Sequence, residues 1–153
     1  MRILPRTLVA LTGCALAAAV FTAPAVAAAP SVPPAGATLR NRETGRCLID
    51  NGSAATRTGP CTADTANQWD VIGPTTARQL RNRESGQCLT DYNRNVRTGP
   101  CTGDAAKKWT VSGPATARQY RNNGTGSCLT DYGSGVGSGP CTEAIASHWI
   151  VTN

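Results

Sequence analysis

Three aspartates recur at one place in the chain: Asp50, Asp91 and Asp131 each close a four-residue Cys-Leu-x-Asp run that starts at Cys47, Cys88 and Cys128. A carboxylate at the edge of a loop accepts hydrogen bonds from hydroxyl groups. An aromatic ring beside it offers an apolar face with a polar tip. Tyr92 and Tyr132 directly follow two of these aspartates, whereas Asn51 stands after the first. Asn95 and the planar guanidinium groups of Arg57 and Arg97 lie a few residues further on. Carboxylate, ring and fork-shaped donor together suit a wet, polyhydroxylated ligand. An Asp at a strand end also makes Asx turns onto its own backbone, and that alternative stays open at all three positions.

Catalysis finds little support in the same residues. His148 is the single histidine, and the carboxylates are scattered by the repeat instead of paired in one pocket. No Ser/His/Asp or Cys/His arrangement appears, so the chain is expected to be no enzyme. The cysteine spacings are far from a C-x-x-C ligand pair, so neither a metal nor a cofactor is expected.

The elements that must position these groups repeat as well. Trp69, Trp109 and Trp149 stand 40 residues apart, and each closes one copy of a unit spanning 39–79, 80–119 and 120–153. A period of this size marks an array or a closed repeat architecture, and three copies suggest a closed object with pseudo-threefold symmetry. Within a unit, turn signals alternate with short apolar runs. Leu39-Arg40-Asn41 reads as a strand, Glu43-Thr44-Gly45 as a turn and Cys47-Leu48-Ile49 as the second strand. A third strand ends at Gly59-Pro60-Cys61, and Trp69-Asp70-Val71-Ile72 is the fourth. Four strands in each unit are enough to close an all-β barrel and cap it with hairpins. The expected core is Leu48, Leu89, Leu129, the three Trp and the residue that opens each unit, Leu39, Leu80 or Tyr120. The repeat selects one cysteine pairing, a disulfide within each unit: Cys47–Cys61, Cys88–Cys101 and Cys128–Cys141.

Residues 1–29 stand apart from this pattern. Arg2 and Arg6, the apolar run from Thr7 to Val20 and the small-x-small Ala25-Val26-Ala27 read as a secretory signal peptide. The protein is therefore expected to be secreted, with no membrane association after cleavage. The competing reading is a lipoprotein anchored at Cys14 within Leu11-Thr12-Gly13-Cys14. Residues 30–38 form a Pro/Ala-rich arm, and 39–153 a single domain. The formal net charge of +6 falls by two when the leader removes Arg2 and Arg6. The remainder is mildly basic, which solubility explains as well as any anionic partner would, and nucleic acid is not an expected partner.

The threefold Gly-x-Cys-Leu…Gly-Pro-Cys…Trp pattern resembles the β-trefoil lectins of the ricin B-chain type, and among them the short single-domain actinohivin-like form. The likeness covers Leu39 to Asn153 and is fullest in repeat two, over Ser85-Gly86-Gln87-Cys88-Leu89 and Val96-Arg97-Thr98-Gly99-Pro100-Cys101. It implies a monomeric β-trefoil that binds carbohydrate or cell-wall polysaccharide, with up to three weak sites, one per repeat. The family's carboxylate role falls to Asp50, Asp91 and Asp131, one residue later than the family's Cys-Leu-Asp. The family's stacking positions hold Gly59, Gly99 and Gly139, or Arg57, Arg97 and Gly137. Tyr92 and Tyr132 are the rings left to replace them, which ranks repeat two first and repeat three next. The second reading is a protein-binding trefoil, a hydrolase inhibitor or adhesion factor, with vestigial sugar pockets.

Overall fold

Short runs of apolar and β-branched residues, punctuated by Gly and Pro, give twelve strands of three to five residues. The structure, a computed structural model, describes residues 36–52 and 55–152. The leader expected over 1–29, its lipoprotein alternative at Cys14, and the arm up to residue 35 lie outside the described residues. Repeat one supplies β1 (Thr38–Asn41), β2 (Cys47–Ile49), β3 (Arg57–Gly59) and β4 (Trp69–Ile72). Repeat two supplies β5 (Gln79–Asn82), β6 (Cys88–Tyr92), β7 (Asn95–Gly99) and β8 (Trp109–Ser112). Repeat three supplies β9 (Gln119–Asn122), β10 (Cys128–Asp131), β11 (Val136–Gly139) and β12 (Trp149–Thr152). Thr38 and Ala37, left in the arm by the sequence reading, belong to the first strand and to a bridge with Trp69.

Six strands close the barrel. The antiparallel pairs β12–β1, β4–β5 and β8–β9 form three sides. Single bridges join those sides: Ala37 to Trp69, Arg78 to Trp109 and Arg118 to Trp149. Each bridge is two backbone hydrogen bonds of 2.8–3.0 Å, so every Trp lies at a seam of the barrel. The other six strands form the hairpins β2–β3, β6–β7 and β10–β11. Each indole Nε1–H donates to a carbonyl of such a hairpin: Trp69 to Leu48, Trp109 to Leu89 and Trp149 to Leu129, at 3.0, 3.1 and 3.0 Å. The core gathers these Trp and Leu residues with Leu39, Leu80 and Tyr120, as the repeat predicts, and adds Val96. Burial pushes the Tyr120 hydroxyl pKa above the ordinary tyrosine range, so the ring enters the core protonated.

Each repeat carries its expected disulfide, Cys47–Cys61, Cys88–Cys101 and Cys128–Cys141. Each closes a loop of 13 or 14 residues, and chain entropy assigns about 3 kcal/mol to a loop of that length. The bridges supplement a core too small to hold one repeat alone. A one-turn 3₁₀ segment precedes every Trp, over Thr65–Asn67, Ala105–Lys107 and Ile145–Ser147. The sequence reading did not anticipate these segments, because three residues carry no periodicity.

The symmetry lapses inside the first hairpin. Val96 and Val136 pair with Asp91 and Asp131, and the corresponding residue in repeat one is Thr56. Among the described residues the buried hydroxyls of Thr56 and Thr98 have no hydrogen-bond partner. An unpaired buried hydroxyl costs about 1–3 kcal/mol. Thr56→Val is therefore expected to stabilise the protein by about 1 kcal/mol, read as a higher urea midpoint at unchanged slope. An unchanged or lower midpoint would show that the hydroxyl is satisfied in solution.

Candidate functional site

Alternation along the hairpin strands decides which groups meet solvent. Successive residues of a strand point to opposite faces. In β6, Leu89 and Asp91 share one face and Thr90 and Tyr92 the other, and of these four only Tyr92 is exposed. Asp50, Asp91 and Asp131 are accordingly 0, 1 and 2% exposed. Their oxygens are already engaged. Asp50 accepts from the Ser85 hydroxyl at 2.5 Å and from the Gly52 N–H at 3.1 Å. Asp91 accepts from Thr125 at 2.5 Å, Ser138 at 2.6 Å and the Arg94 N–H at 2.9 Å. Asp131 accepts from Thr44 at 2.6 Å, Thr58 at 3.1 Å and the Gly133 N–H at 2.9 Å.

These contacts pass round the molecule, with each repeat's carboxylate held by hydroxyls of the next repeat. Both roles open in the sequence, ligand carboxylate and Asx turn, meet a third. The aspartates do bond their own loops, and they also clasp neighbouring repeats. All three carboxylates are thus buried and hydrogen-bonded, whereas the Tyr92 and Tyr132 rings are exposed.

The outer face carries Tyr92 and Tyr132, and it treats them differently. Arg97, on β7, lays its guanidinium over the Tyr92 ring with Cζ 4.2 Å from the centroid. This cation–π contact covers one face of the ring and leaves Tyr92 41% exposed. In repeat three Gly137 replaces Arg97, and the ring settles onto β11. The Tyr132 hydroxyl lies 2.5 Å from where a Cβ on Gly139 would stand, and its Cε2 lies 3.1 Å from that of Gly137. A Cβ at Gly139 would force the ring to shift, and one at Gly137 would crowd it. Tyr132 remains 58% exposed with no cation stacked on it among the described residues. Asn95 is exposed at the start of β7 and pairs with Tyr92 and with Gly137 of β11, which places it at the rim of the second repeat. Arg57 is exposed on β3, in a repeat that has Asn51 in place of a ring.

Beside Tyr132 a shallow cavity of about 210 Å³ is lined by Thr130, Gly139, Pro140, Thr142, Ala144, Ala146 and Ser147. It is smaller than the roughly 300–1,000 Å³ of sites for drug-sized ligands, and suits a single ring. Two other clefts are larger but polar and without an aromatic wall. One of about 340 Å³ lies at Thr110, Arg121 and Asn123, and one of about 300 Å³ at Arg94, Thr125 and Ser127. The more exposed ring is Tyr132 of repeat three, whereas the sequence ranks repeat two first. Thr130, Ala144 and Ser147 escaped the sequence reading. Alternation from Leu129 would have placed Thr130 beside Tyr132, but Ala144 and Ser147 arrive only through the 3₁₀ turn.

Charge separates the repeats further. In repeat two, Asp104 and Lys107 stand where repeat three has Ala144 and Ser147, and they form an ion pair at 3.1 Å. The Thr102 hydroxyl, and then the Lys107 ammonium, hold the Asp104 carboxyl below its usual pKa range. Among the described residues no three His, Cys, Asp or Glu side chains gather closely enough to hold a metal.

A family model described as "Ricin-type beta-trefoil lectin domain" matches residues 35–147. No curated protein matches the chain. Among solved structures, the designed threefold-symmetric protein ThreeFoil superposes with a TM-score of 0.71 at 17% identity, covering 76% of this chain and 97% of that one. The GlcNAcα1-4Gal-releasing endo-β-galactosidase of Clostridium perfringens gives 0.69 at 16% identity, covering 76% of this chain and 32% of the enzyme. The exo-β-1,3-galactanase 1,3Gal43A of Clostridium thermocellum gives 0.68 at 15% identity, covering 79% and 31%. This chain thus spans about a third of each of those two enzymes, and at such identities the likeness is one of fold.

The clasp makes a stability prediction. Asp91→Ala strands two hydroxyls and one N–H in the interior, and is expected to cost about 3 kcal/mol or more. Thermal unfolding of the variant checks it. A loss below about 1 kcal/mol would mean that the Asp91 contacts are not made in solution.

Proposed function

The chain belongs to the ricin-type β-trefoil lectin domain family, and from that premise we propose that it is a secreted carbohydrate-binding protein whose principal site is the Tyr132 cavity of repeat three. One observation carries this reading: a half-exposed tyrosine laid on two glycines, with no cation on it, at the edge of a single-ring cavity. The apolar C–H face of a pyranose stacks on such a ring, and the phenol hydroxyl at its tip meets the sugar's polar rim. Two proteins of the same fold support the reading, an endo-β-galactosidase and an exo-β-1,3-galactanase. The protein's role is binding and not turnover.

Repeat two is a second, occluded site. A ligand there must displace Arg97 from the Tyr92 ring or bind against the guanidinium itself, and Asn95 stands ready at its rim. Repeat one, with Asn51 for a ring, contributes least. The expected avidity on a polymer therefore comes from two unequal sites and not three equal ones. The buried aspartates enter only indirectly, by holding β6 and β10 so that their outer faces present the rings.

A glycan array on the disulfide-bonded protein tests the assignment. Tyr132→Ala is expected to weaken the sugar-competable signal about tenfold or more, since loss of ring stacking and burial removes at least about 1.4 kcal/mol. Its melting temperature should barely move, because the ring is at the surface. Silence from folded protein, or a signal indifferent to Tyr132→Ala, would reject the site. Removing the cap by Arg97→Gly is expected to strengthen neutral-sugar binding at Tyr92. A fall in that binding would show that the guanidinium is itself a ligand contact.

A further inference from the structure

The three repeats place different side chains around one geometry, so they act as internal controls for what the repeat-three cavity selects. At three positions that surround this pocket, repeats one and two are charged or amide-bearing: Arg57 and Arg97, Asp64 and Asp104, Asn67 and Lys107. Repeat three holds Gly137, Ala144 and Ser147 there. At these three positions repeat three carries no formal charge, and its nearest carboxylate in sequence, the exposed Glu143, is not among the residues that line the cavity.

The polar atoms that remain are largely committed to the protein. The Thr130 hydroxyl donates to the Cys128 carbonyl at 3.0 Å. The Ser147 hydroxyl lies 2.9 and 3.1 Å from the Ala144 and Thr142 carbonyls, and it accepts from Gln119 Nε2 at 3.2 Å. The Thr142 hydroxyl accepts from the Ala144 N–H at 3.3 Å. Apart from the Thr142 hydroxyl, the floor beneath the ring offers a sugar hydroxyl no uncommitted side-chain donor and no carboxylate, only the methyl groups of Ala144 and Ala146 and the ring of Pro140. A hydroxyl pressed against that floor loses water without replacement, which is costly. A methyl group there gains.

Accepting the Tyr132 cavity as a sugar site, we infer that it selects neutral sugars that carry a methyl-terminated group on the inserted edge, an acetamido substituent or a 6-deoxy carbon. The ring stacks the pyranose, the Tyr132 hydroxyl meets the outward hydroxyls, and the methyl takes the alanine floor.

Backbone amide chemical-shift titration of the disulfide-bonded protein with matched pairs tests this. The pairs are N-acetylglucosamine against glucose, N-acetylgalactosamine against galactose, and L-fucose against L-galactose. The methyl-bearing member is expected to shift the amides of Tyr132, Ala144 and Ala146 and to bind about fourfold tighter or better, the worth of one buried methyl. A preference confined to the acetamido pairs, or to fucose, supports the inference and identifies the source of the methyl. Ala144→Asp, which restores the side chain of the other repeats at an exposed position, is expected to erase the preference. Equal binding within all pairs at these same amides would overturn the methyl preference and leave the sugar site standing. Shifts at none of these amides with any sugar would overturn both.

Discussion

Three indole N–H groups join the two halves of the molecule. The backbone of each Trp bridges two strand pairs of the barrel, and its side chain donates to a leucine carbonyl of a hairpin. One residue thus fixes barrel closure, the seat of the hairpin cap and a large part of the core volume. Phenylalanine would fill much of that volume yet leave a buried carbonyl unpaired. The 40-residue period of Trp is the period at which this joint must recur, and the position of every outer-face residue follows from it.

Between repeats the joint is polar. Asn41, Asn82 and Asn122 are buried, and each donates through Nδ2 to a carbonyl of the preceding repeat in the ring, Ala146, Ala66 and Ala106 respectively. Their Oδ1 atoms accept from the turns that follow, as at Glu43 and Thr44. The aspartates point the other way round, toward the next repeat. Asn looks backward and Asp forward, so a repeat has its buried polar groups satisfied only when both neighbours are present. That is why a single repeat is no folding unit, and why the inner-face pattern is nearly the same in all three copies. Among the described residues the buried hydroxyls of Thr56 and Thr98 and the Asn67 Oδ1 atom depart from this pattern.

Strand order, turns, disulfides and core were legible because each follows from a local signal repeated three times: the Trp period, the Gly-Pro-Cys run and the Leu after each first Cys. The site was less legible. Asp91 looked like a ligand contact because its type suited a sugar hydroxyl, but its place two residues from Leu89 on one strand puts it on the core face. Applying the period of two from Leu89 would have separated Asp91 from Tyr92. Arg97 and Tyr92 were both visible, yet nothing local says that one stacks on the other instead of on a ligand. Repeat two consequently looked richer than repeat three, although its richness is what covers it. Ala144 and Ser147 were invisible for another reason. Small residues carry no chemical signature, and their importance lies in what they leave open.

This asymmetry between faces has a physical origin. Inner-face residues answer to neighbours in two other repeats, so a change in one copy leaves a donor or acceptor stranded in another. Outer-face residues answer to water. Gly137, Arg97 and Arg57 occupy one position and differ in size and charge without disturbing the hairpin beneath them. A threefold scaffold can therefore carry three unrelated pockets at little cost to its stability. Equal folds in the three repeats give no reason to expect equal ligands. The copy with the fewest functional-looking side chains is the one whose aromatic ring remains open.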